Sequence, residues 1–278
     1  MIRLDGRVAL VTGAGRGLGA SHARALAAHG AQVVVHDAGV EADGSGGDPA
    51  LAGAVVAEIE AAGGAAVASY ENLETAAGCV QAVEGAVERF GRLDVVVQNA
   101  GLLVWEELEV ADASWERLRR VNVDAPFHLT RAAFPVMRRN GYGRFVFTTS
   151  GRAMSVADTR PGLAAYSVGK MAHFALMLVA AAEGEQHGIR ANAIAPAAAT
   201  RMLRREARPG ELDPEQVSPA VVFLASDRCT FSGQVLECSG GKFSVARWTS
   251  SEAVDLGREP VDPSVIEERW AEIEGTAA

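Results

Sequence analysis

The amino-acid sequence predicts an α/β fold, a doubly wound parallel sheet with helices on both faces. Short valine-rich runs such as QVVVH and DVVVQ alternate with helical patterns along most of the chain. Runs that are apolar throughout suit strands buried on both faces, which is typical of parallel sheets. No linker divides the 278 residues, and a single α/β domain commonly reaches this length.

The individual elements follow in order from the periodicity of apolar residues. Strands are predicted at residues 8–12, 32–36, 65–69, 93–98, 144–149, 189–195 and 235–238. Helices are predicted from the first Gly-rich turn to residue 30 and at residues 51–62, 75–90, 115–140 and 164–187. We expect one domain over 1–278, with a C-terminal extension from about residue 247 and an amphipathic helix at 264–273.

Composition argues against several classes of function. The net charge is −9, whereas nucleic-acid binding calls for a basic surface. Three scattered cysteines form no CxxC pair and the six histidines lack ligand-like spacing, so we expect no metal. We recognise no secretory signal and no apolar stretch of about 20 residues, and therefore expect a cytoplasmic protein that binds no membrane.

A Gly-rich turn, TGAGRGLG at residues 12–19, follows the first predicted strand directly. Its glycines let backbone N–H groups approach a pyrophosphate, and the next helix directs the positive end of its dipole at that anion. A strand before the motif and a helix after it are the context of a dinucleotide-binding turn in a Rossmann-type fold.

Asp37 ends the second predicted strand, 18 residues beyond Gly19. A carboxylate at this point accepts hydrogen bonds from the adenosine ribose hydroxyls and repels a 2′-phosphate. Arg16, within the turn, argues the other way because a guanidinium pairs with phosphate. We weigh the carboxylate more heavily and expect NAD, with NADP as the alternative.

Tyr166 and Lys170 are four residues apart in a predicted helix, so they share one face. Both residue types are scarce, with three tyrosines and two lysines against 24 arginines. A nearby ammonium group lowers the pKa of a phenol, which makes tyrosine usable as an acid or base. The pair predicts a proton-transfer site, and the same scarcity draws attention to Lys242.

Taken together, the motifs resemble those of the short-chain dehydrogenase/reductase family over about 240 residues. TGAGRGLG is similar to that family's TGxxxGxG, and QNAG at 98–101 to its NNAG. Asn122, Ser150, Tyr166 and Lys170 match its four catalytic positions. The implied activity is hydride transfer between NAD(H) and a secondary alcohol or ketone.

The resemblance implies a role for each matched residue. Tyr166 is the general acid or base at the substrate oxygen, and Ser150 hydrogen-bonds that oxygen. Lys170 holds the nicotinamide ribose and lowers the pKa of Tyr166, while Asn122 supports a proton-relaying water. The residues implied to contact the cofactor are Gly13, Arg16, Gly17, Leu18, Gly19, Asp37, Asn72, Leu73, Asn99, Ala100, Gly101, Tyr166, Lys170, Pro196 and Thr200.

A closer resemblance, in IAPAAATRM and SGQVLECSGGKFSVARW, is to the (3R)-hydroxyacyl-CoA dehydrogenases of the multifunctional-enzyme-type-2 group. It implies a 3-hydroxyacyl thioester, a steroid or another hydroxy or keto metabolite as substrate. Residues 151–165 form a longer segment than is usual in the family and are expected to shape the substrate pocket. Ser150, Met154 and Trp105 are predicted substrate contacts, the last two as an apolar wall.

Two other functions stay open at this point. A sugar-nucleotide epimerase or dehydratase would be longer and would carry TGxxGxxG, which this chain lacks. A catalytically weak NAD-binding sensor or scaffold of the same fold would keep the Gly-rich turn, although such proteins tend to lose the tyrosine or lysine. The family resemblance also implies a homodimer or homotetramer built from the helices at 115–140 and 164–187.

Overall fold

The computed structural model describes residues 2–110, 112–200, 208 and 210–276. The chain divides into two compact units, Met1–Val245 and Ala246–Ala278. The strands are β1 (Val8–Thr12), β2 (Gln32–His36), β3 (Ala65–Ser69), β4 (Val95–Gln98), β5 (Gly143–Thr148), β6 (Ile189–Ala197), β7 (Val235–Ser239) and β8 (Lys242–Ala246).

The eight described strands form one sheet in the order β3-β2-β1-β4-β5-β6-β7-β8. Every pair from β3 to β7 is parallel. Residues 240 and 241 join β7 to β8, and so short a link connects only antiparallel neighbours. The central strands β1, β4 and β5 are buried along their whole length, as their apolar sequences predict. The predicted doubly wound α/β fold is confirmed, with the strand order reversing between β1 and β4.

Helices pack in two groups, as two layers around a sheet require. Helix α1 contacts α2 and α8, while α5 contacts α3 and α7. The helices are α1 (Gly17–Ala28), α2 (Ala50–Ala61), α3 (Ala76–Phe90), α4 (Asp112–Arg119), α5 (Ala125–Asn140), α6 (Gly151–Met154), α7 (Ala164–Gly184), α8 (Ser218–Ala225), α9 (Pro263–Glu268) and α10 (Trp270–Glu274).

The helix predicted at 115–140 is interrupted in the structure. Between α4 and α5 the chain forms a π-helical turn at Arg120–Asp124. Pro126 has no N–H, so the usual helical hydrogen bond to the carbonyl of Asn122, four residues earlier, cannot form. The N–H of Ala125 donates instead to the carbonyl of Arg120, five residues back. Such turns are frequent at functional sites.

Three elements of the first unit, α6, α8 and β8, were not predicted. Helix α8 reads SPAVVFLA and is buried on almost every side. A helix that is apolar all round shows no amphipathic period, so the pattern that reveals other helices is missing here. Strand β8 is largely exposed and lacks the continuous apolar run of the central strands.

Helix α7, with the 3₁₀ turn Glu185–His187 that continues it, is long and apolar enough to cross a membrane by length and composition alone. The expectation that the chain contains no such stretch was therefore wrong. The described residues contain one helix of this kind. In this fold it packs against β5 and β6 and carries buried polar residues.

The second unit contains the short helices α9 and α10 where one helix was predicted at 264–273. Asp262 caps the first of them, because its carboxylate accepts a hydrogen bond from the N–H of Ser264 at 3.0 Å. The chain leaves the α-helical conformation at Arg269, which separates the two helices.

Candidate active site

The Gly-rich turn after β1 depends on glycine at several positions. Gly13 and Gly17 have φ angles of +63° and +55°, which side-chain-bearing residues rarely adopt. A Cβ on Gly19 would lie 2.1 Å from the carbonyl oxygen of Gly13, so α1 packs directly on the turn. The turn therefore leads into the first backbone N–H groups of α1, as an anion-binding turn needs.

Asn99 and Thr12 tie the segment after β4 to this turn. The side-chain amide of Asn99 donates to the carbonyl oxygens of Thr12 and Gly13, both at 3.0 Å. In return, Thr12 Oγ1 accepts hydrogen bonds from the N–H groups of Asn99 and Ala100, each at 3.1 Å. The two strand ends thus form one rigid side of the site.

The carboxylate of Asp37 is buried at the end of β2 and faces the Gly-rich turn. One oxygen accepts a hydrogen bond from the N–H of Gly15 at 2.7 Å, and the other from the N–H of Gly39 at 2.6 Å. The guanidinium of Arg16 donates to the carbonyl of Val40 at 2.6 Å. Asp37 is therefore the charged group held against the turn, while Arg16 is bound to the loop that follows β2.

Helix α7 buries Tyr166 and Lys170 on one face. Lys170 Nζ donates to the carbonyl of Thr148 at 2.9 Å and lies 5.7 Å from the centre of the Tyr166 ring. Burial disfavours the ammonium form and lowers the pKa of Lys170 to about 8. The lysine is therefore close to its titration point near neutral pH.

The pKa of Tyr166 is governed by groups other than the one predicted. Burial raises it above the usual value for a phenol, while a hydrogen bond with Ser150 and the positive charge of Arg152 lower it. The expected lowering by Lys170 is not found. Lys170 lies over the ring and donates its hydrogen bond to Thr148 instead of the phenol.

Asn122 lies in the π-helical turn and is fully buried. Its side chain pairs with the backbone of Leu102, accepting from the N–H and donating to the carbonyl, both at 2.8 Å. A Cβ on Gly169 would lie 2.5 Å from that of Asn122, so the glycine inside YSVGK lets α7 approach the turn. Asn122 thus holds the segment after β4 against the helix that carries Lys170.

These groups border one cavity of about 1510 Å³. It runs from the Gly-rich turn and Asp37 to Ser150 and Tyr166. Gly19 and Asn122 do not line the cavity; they support the segments that do, Gly19 by close packing on the Gly-rich turn and Asn122 by its hydrogen bonds with Leu102. The predicted site residues on the wall are Gly13, Arg16, Gly17, Leu18, Asp37, Asn72, Leu73, Asn99, Ala100, Gly101, Ser150, Tyr166, Lys170, Pro196 and Thr200.

A family model described as short chain dehydrogenase matches residues 7–211, from the start of β1 past the end of β6. The chain belongs to the short chain dehydrogenase family. The matched region contains both the Gly-rich turn and the helix with Tyr166 and Lys170. As a member of this family, the protein is an oxidoreductase that acts on CH–OH groups.

Two curated relatives in the short chain dehydrogenase family match nearly the whole chain. Peroxisomal multifunctional enzyme type 2 of Mus musculus is 37% identical over 98% of this chain and 37% of its own length. The chain thus spans little more than a third of that relative. A putative short-chain type dehydrogenase/reductase of Mycobacterium tuberculosis is 37% identical over 96% of this chain and 93% of the relative. The predicted resemblance to the multifunctional-enzyme group is confirmed.

Solved structures of the family agree with this assignment. A short chain dehydrogenase from Mycobacterium avium has a TM-score of 0.85 and 39% identity, covering 99% of this chain and 96% of that one. A carveol dehydrogenase from M. avium in complex with NAD has a TM-score of 0.75 at 26% identity, covering 85% and 97%. A metagenomic short-chain oxidoreductase in complex with NADP has a TM-score of 0.68 at 33% identity, covering 82% and 95%.

The cavity of this short chain dehydrogenase fits a nicotinamide dinucleotide. Three residues on its wall, Arg16, His36 and Thr148, each hold a buried polar side-chain atom with no hydrogen-bond partner in the described part of the chain. Such atoms are costly unless a bound polar group satisfies them. The glycines of the turn leave room for the backbone to contact a pyrophosphate. Solved relatives bind NAD or NADP, so the family alone does not select between the two forms.

Two predicted substrate contacts, Trp105 and Met154, do not line the cavity. Trp105 packs against an apolar cluster that contains Leu102 and Leu163. The guanidinium carbon of Arg152 lies 5.7 Å from the centre of its ring. Met154 ends the four-residue helix α6 and lies off the wall. Instead of an apolar wall, residues 151–165 contribute charged side chains to the cavity.

Several charged residues of the wall were not predicted from the sequence. Arg152, Asp158 and Arg160 come from the long segment before Tyr166, and Arg117 comes from α4. Lys242 reaches the wall from the start of β8, and its scarcity in the sequence was the one available signal. Arg152 follows Ser150 by two residues, and this spacing was the signal in the sequence for its place near the phenol.

Proposed function

We propose that this protein catalyses the NAD-dependent interconversion of a secondary alcohol and its ketone, with Tyr166 as the general acid or base. The observation that carries the proposal is one continuous cavity between the Gly-rich turn and the Tyr166 phenol. A bound nicotinamide dinucleotide supplies the hydride acceptor in oxidation and the hydride donor in reduction. Tyr166 exchanges the proton, so hydride and proton together account for both hydrogens that leave the alcohol.

The protein's own residues divide the proton chemistry among them. Ser150 and Tyr166 both line the cavity, and the Ser150 side chain lowers the pKa of Tyr166, so a substrate oxygen in the cavity can meet both hydroxyl groups. In reduction Tyr166 gives its proton to that oxygen while Ser150 donates a hydrogen bond to it. Lys170 holds the nicotinamide ribose and, with a pKa of about 8, can resupply the proton. Asn122 supports the relaying water through its carbonyl, to which Pro126 has no N–H to donate.

The substrate is a hydroxy or keto metabolite. The similarity to the multifunctional-enzyme group supports a 3-hydroxyacyl thioester as one candidate and a steroid as another. The test is NAD reduction, followed by nicotinamide absorbance, with hydroxyacyl thioesters, hydroxysteroids and simple hydroxy acids. Tight NAD binding without turnover of any of them would contradict the proposal and support the sensor or scaffold function.

Asp37 is proposed to make NAD the preferred cofactor. Asp37→Asn keeps an acceptor oxygen for only one of the N–H groups of Gly15 and Gly39, and it removes the charge that repels a 2′-phosphate. We expect the ratio of kcat/KM for NADP over NAD to rise at least roughly tenfold. Asp43→Asn is the matched control, because that exposed carboxylate of the same loop does not line the cavity. A wild-type protein that prefers NADP contradicts the assignment.

The protein is proposed to form a homodimer or homotetramer through α5 and α7. These helices expose large apolar side chains, including Phe127, Leu178 and Val179, and the last is 54% exposed. Exposed apolar faces of this kind mark association surfaces. Light scattering is expected to show a dimer or tetramer that Val179→Glu weakens, whereas the loop control Val156→Glu leaves the mass unchanged. A wild-type monomer at high concentration would rule the proposal out.

A further inference from the structure

Among the described residues, four arginines line the cavity, and they differ in what their guanidinium groups contact. Arg16, Arg117 and Arg160 each donate side-chain hydrogen bonds to backbone carbonyls of the surrounding loops. Arg152 has no side-chain hydrogen bond and no ion pair within the described residues. This half-buried cation, which no carboxylate of the described chain neutralises, is available to bind an anion that enters the cavity.

Arg152 is nevertheless held in place. Ser150 caps the start of α6, accepting a hydrogen bond from the N–H of Arg152 at 3.3 Å. Thr159 Oγ1 donates to the carbonyl of Arg152 at 2.7 Å and so braces the same turn. The guanidinium carbon lies 5.7 Å from the centre of the Trp105 ring, within the range of a cation–π contact. The backbone of Arg152 is thus held by two hydrogen bonds, and its guanidinium lies within reach of the Trp105 ring, before any ligand binds.

The position of Arg152 relates it to the reacting atoms. Its backbone follows Ser150 by two residues, and its charge lowers the pKa of Tyr166 against the effect of burial. An anion bound by this guanidinium would therefore lie close to the substrate oxygen that Tyr166 and Ser150 contact. An anionic group at the far end of a long acyl carrier would lie too far from that oxygen to be the one that Arg152 binds.

Neither Asp158 and Glu237 nor Lys242 takes over the role of Arg152: the acidic groups do not neutralise it, and Lys242 competes with it only weakly for an anion. Asp158 belongs to the same segment as Arg152, yet no ion pair joins the two in the structure. Glu237 accepts a hydrogen bond from Ser244 Oγ at 2.8 Å. Lys242 is exposed, so solvent and salt screen its charge more than that of half-buried Arg152.

We propose that Arg152 binds a carboxylate of the substrate, so that the alcohol oxidised here is a hydroxy acid with its carboxylate close to the carbinol carbon. The planar guanidinium offers two parallel N–H donors that match the two oxygens of a carboxylate. The inference rests on the proposed oxidoreductase function and narrows its substrate class. It favours a free hydroxy acid over the corresponding thioester, which is neutral at that position.

The experiment compares kcat/KM for 2-, 3- and 4-hydroxy carboxylates with their methyl esters and thioesters, using NAD and wild-type protein. At least one free acid is expected to be the best substrate of its set. When each protein is measured at its own pH optimum, Arg152→Met is expected to lower kcat/KM for that acid roughly 10- to 100-fold while changing kcat/KM for the ester little. Arg152→Lys should restore part of the loss, because it keeps the charge without the planar fork.

Two further readouts separate ligand binding from a structural effect of the substitution. The pH profile of ester oxidation should move to higher pH in Arg152→Met, because a charge that lowers the pKa of Tyr166 has been removed. Lys242→Met is the control: any effect it has on the acid should vanish in high salt, whereas the effect of Arg152→Met should persist.

The outcomes distinguish this inference from the proposed function. Turnover of esters or thioesters in preference to every free acid keeps the oxidoreductase function and overturns the carboxylate site. An equal loss of acid and ester turnover in Arg152→Met overturns it as well. If no compound is turned over, binding of the keto acids is measured by the fluorescence of protein-bound NADH. Keto-acid binding that Arg152→Met abolishes supports the carboxylate site. Keto-acid binding that the substitution leaves unchanged refutes the site.

Discussion

Tyr166→Phe is expected to lower kcat roughly 10³-fold while the affinity for NADH stays nearly unchanged. The substitution removes only the hydroxyl group that exchanges the proton with the substrate oxygen. It leaves the ring, which is buried against the apolar cluster around Leu102 and Leu118. The fold should therefore be as stable as before. Kinetics by nicotinamide absorbance, together with NADH fluorescence titration, measure the two effects separately.

Tyr142→Phe is the matched control for this experiment. Tyr142 donates its hydroxyl hydrogen to the carbonyl of Ala225 at 2.8 Å and does not line the cavity. Its substitution should lower the free energy of unfolding by about 1–3 kcal/mol, because a buried acceptor loses its donor, yet leave kcat unchanged. A Tyr166→Phe protein that retains a tenth of wild-type kcat would show that another group transfers the proton.

Lys170→Met is expected to remove most of the activity and at the same time stabilise the fold by up to about 3 kcal/mol at neutral pH. The lysine is buried, and its pKa falls from 10.5 to about 8, so its ammonium form is less favoured in the folded protein than in the unfolded chain. Methionine fills similar volume without a charge. Denaturant unfolding of both proteins measures the gain, and NADH titration measures the expected loss of cofactor affinity.

The pH dependence of this gain has a defined sign. Below about pH 8 both states of the wild type carry the proton on Lys170, so the full penalty applies. Between about pH 8 and 10.5 the unfolded chain binds more protons than the folded protein, so the free energy of unfolding of the wild type rises with pH. The stability difference between Lys170→Met and the wild type therefore becomes smaller. Other groups titrate in this range, among them Cys79 with a pKa raised to about 12, but they are common to both proteins.

Lys242→Met is the control for the stability measurement. Lys242 is exposed, and its loss should change the free energy of unfolding by no more than about 0.5 kcal/mol at any pH. A Lys170→Met protein that is less stable than wild type at neutral pH would mean that the hydrogen bond to Thr148 outweighs the cost of burying the charge.

The parts of the fold with a strong local signal were predictable. Strands β1 and β2 were predicted with the bounds that the structure shows, and so was the Gly-rich turn after β1. Apolar runs and glycines determine the backbone conformation of their own few residues, so their effect can be predicted locally. Helix α8 was missed because an all-apolar helix has no period to detect. The π-helical turn was missed because a proline near the start of α5 reads equally well as an ordinary helix start.

The candidate site also contains residues whose position could be predicted from local sequence and residues whose position could not. The placement of the cofactor-side residues on one cavity wall follows from motifs that are contiguous in sequence. Trp105 and Met154 do not border the cavity in the structure, and the sequence could not show this, because an apolar side chain between the main elements can face a pocket or the core and only its neighbours decide which. Trp105 packs into the apolar cluster with Leu163, while Arg152 borders the cavity beside it.

The sequence by itself determined that Tyr166 and Lys170 share a helix face, since a spacing of four residues brings side chains together in any α-helix. It also determined the Gly-rich turn and the alternation of parallel strands with long helices from β1 to β6, because these depend on local conformation. Only the tertiary structure decided the electrostatics of the pair. Lys170 is bound to the Thr148 carbonyl and has a lowered pKa, and the phenol is influenced by Ser150 and Arg152. The pKa of a buried group depends on the burial and charges that distant segments bring to it, and these are fixed only when the chain has folded.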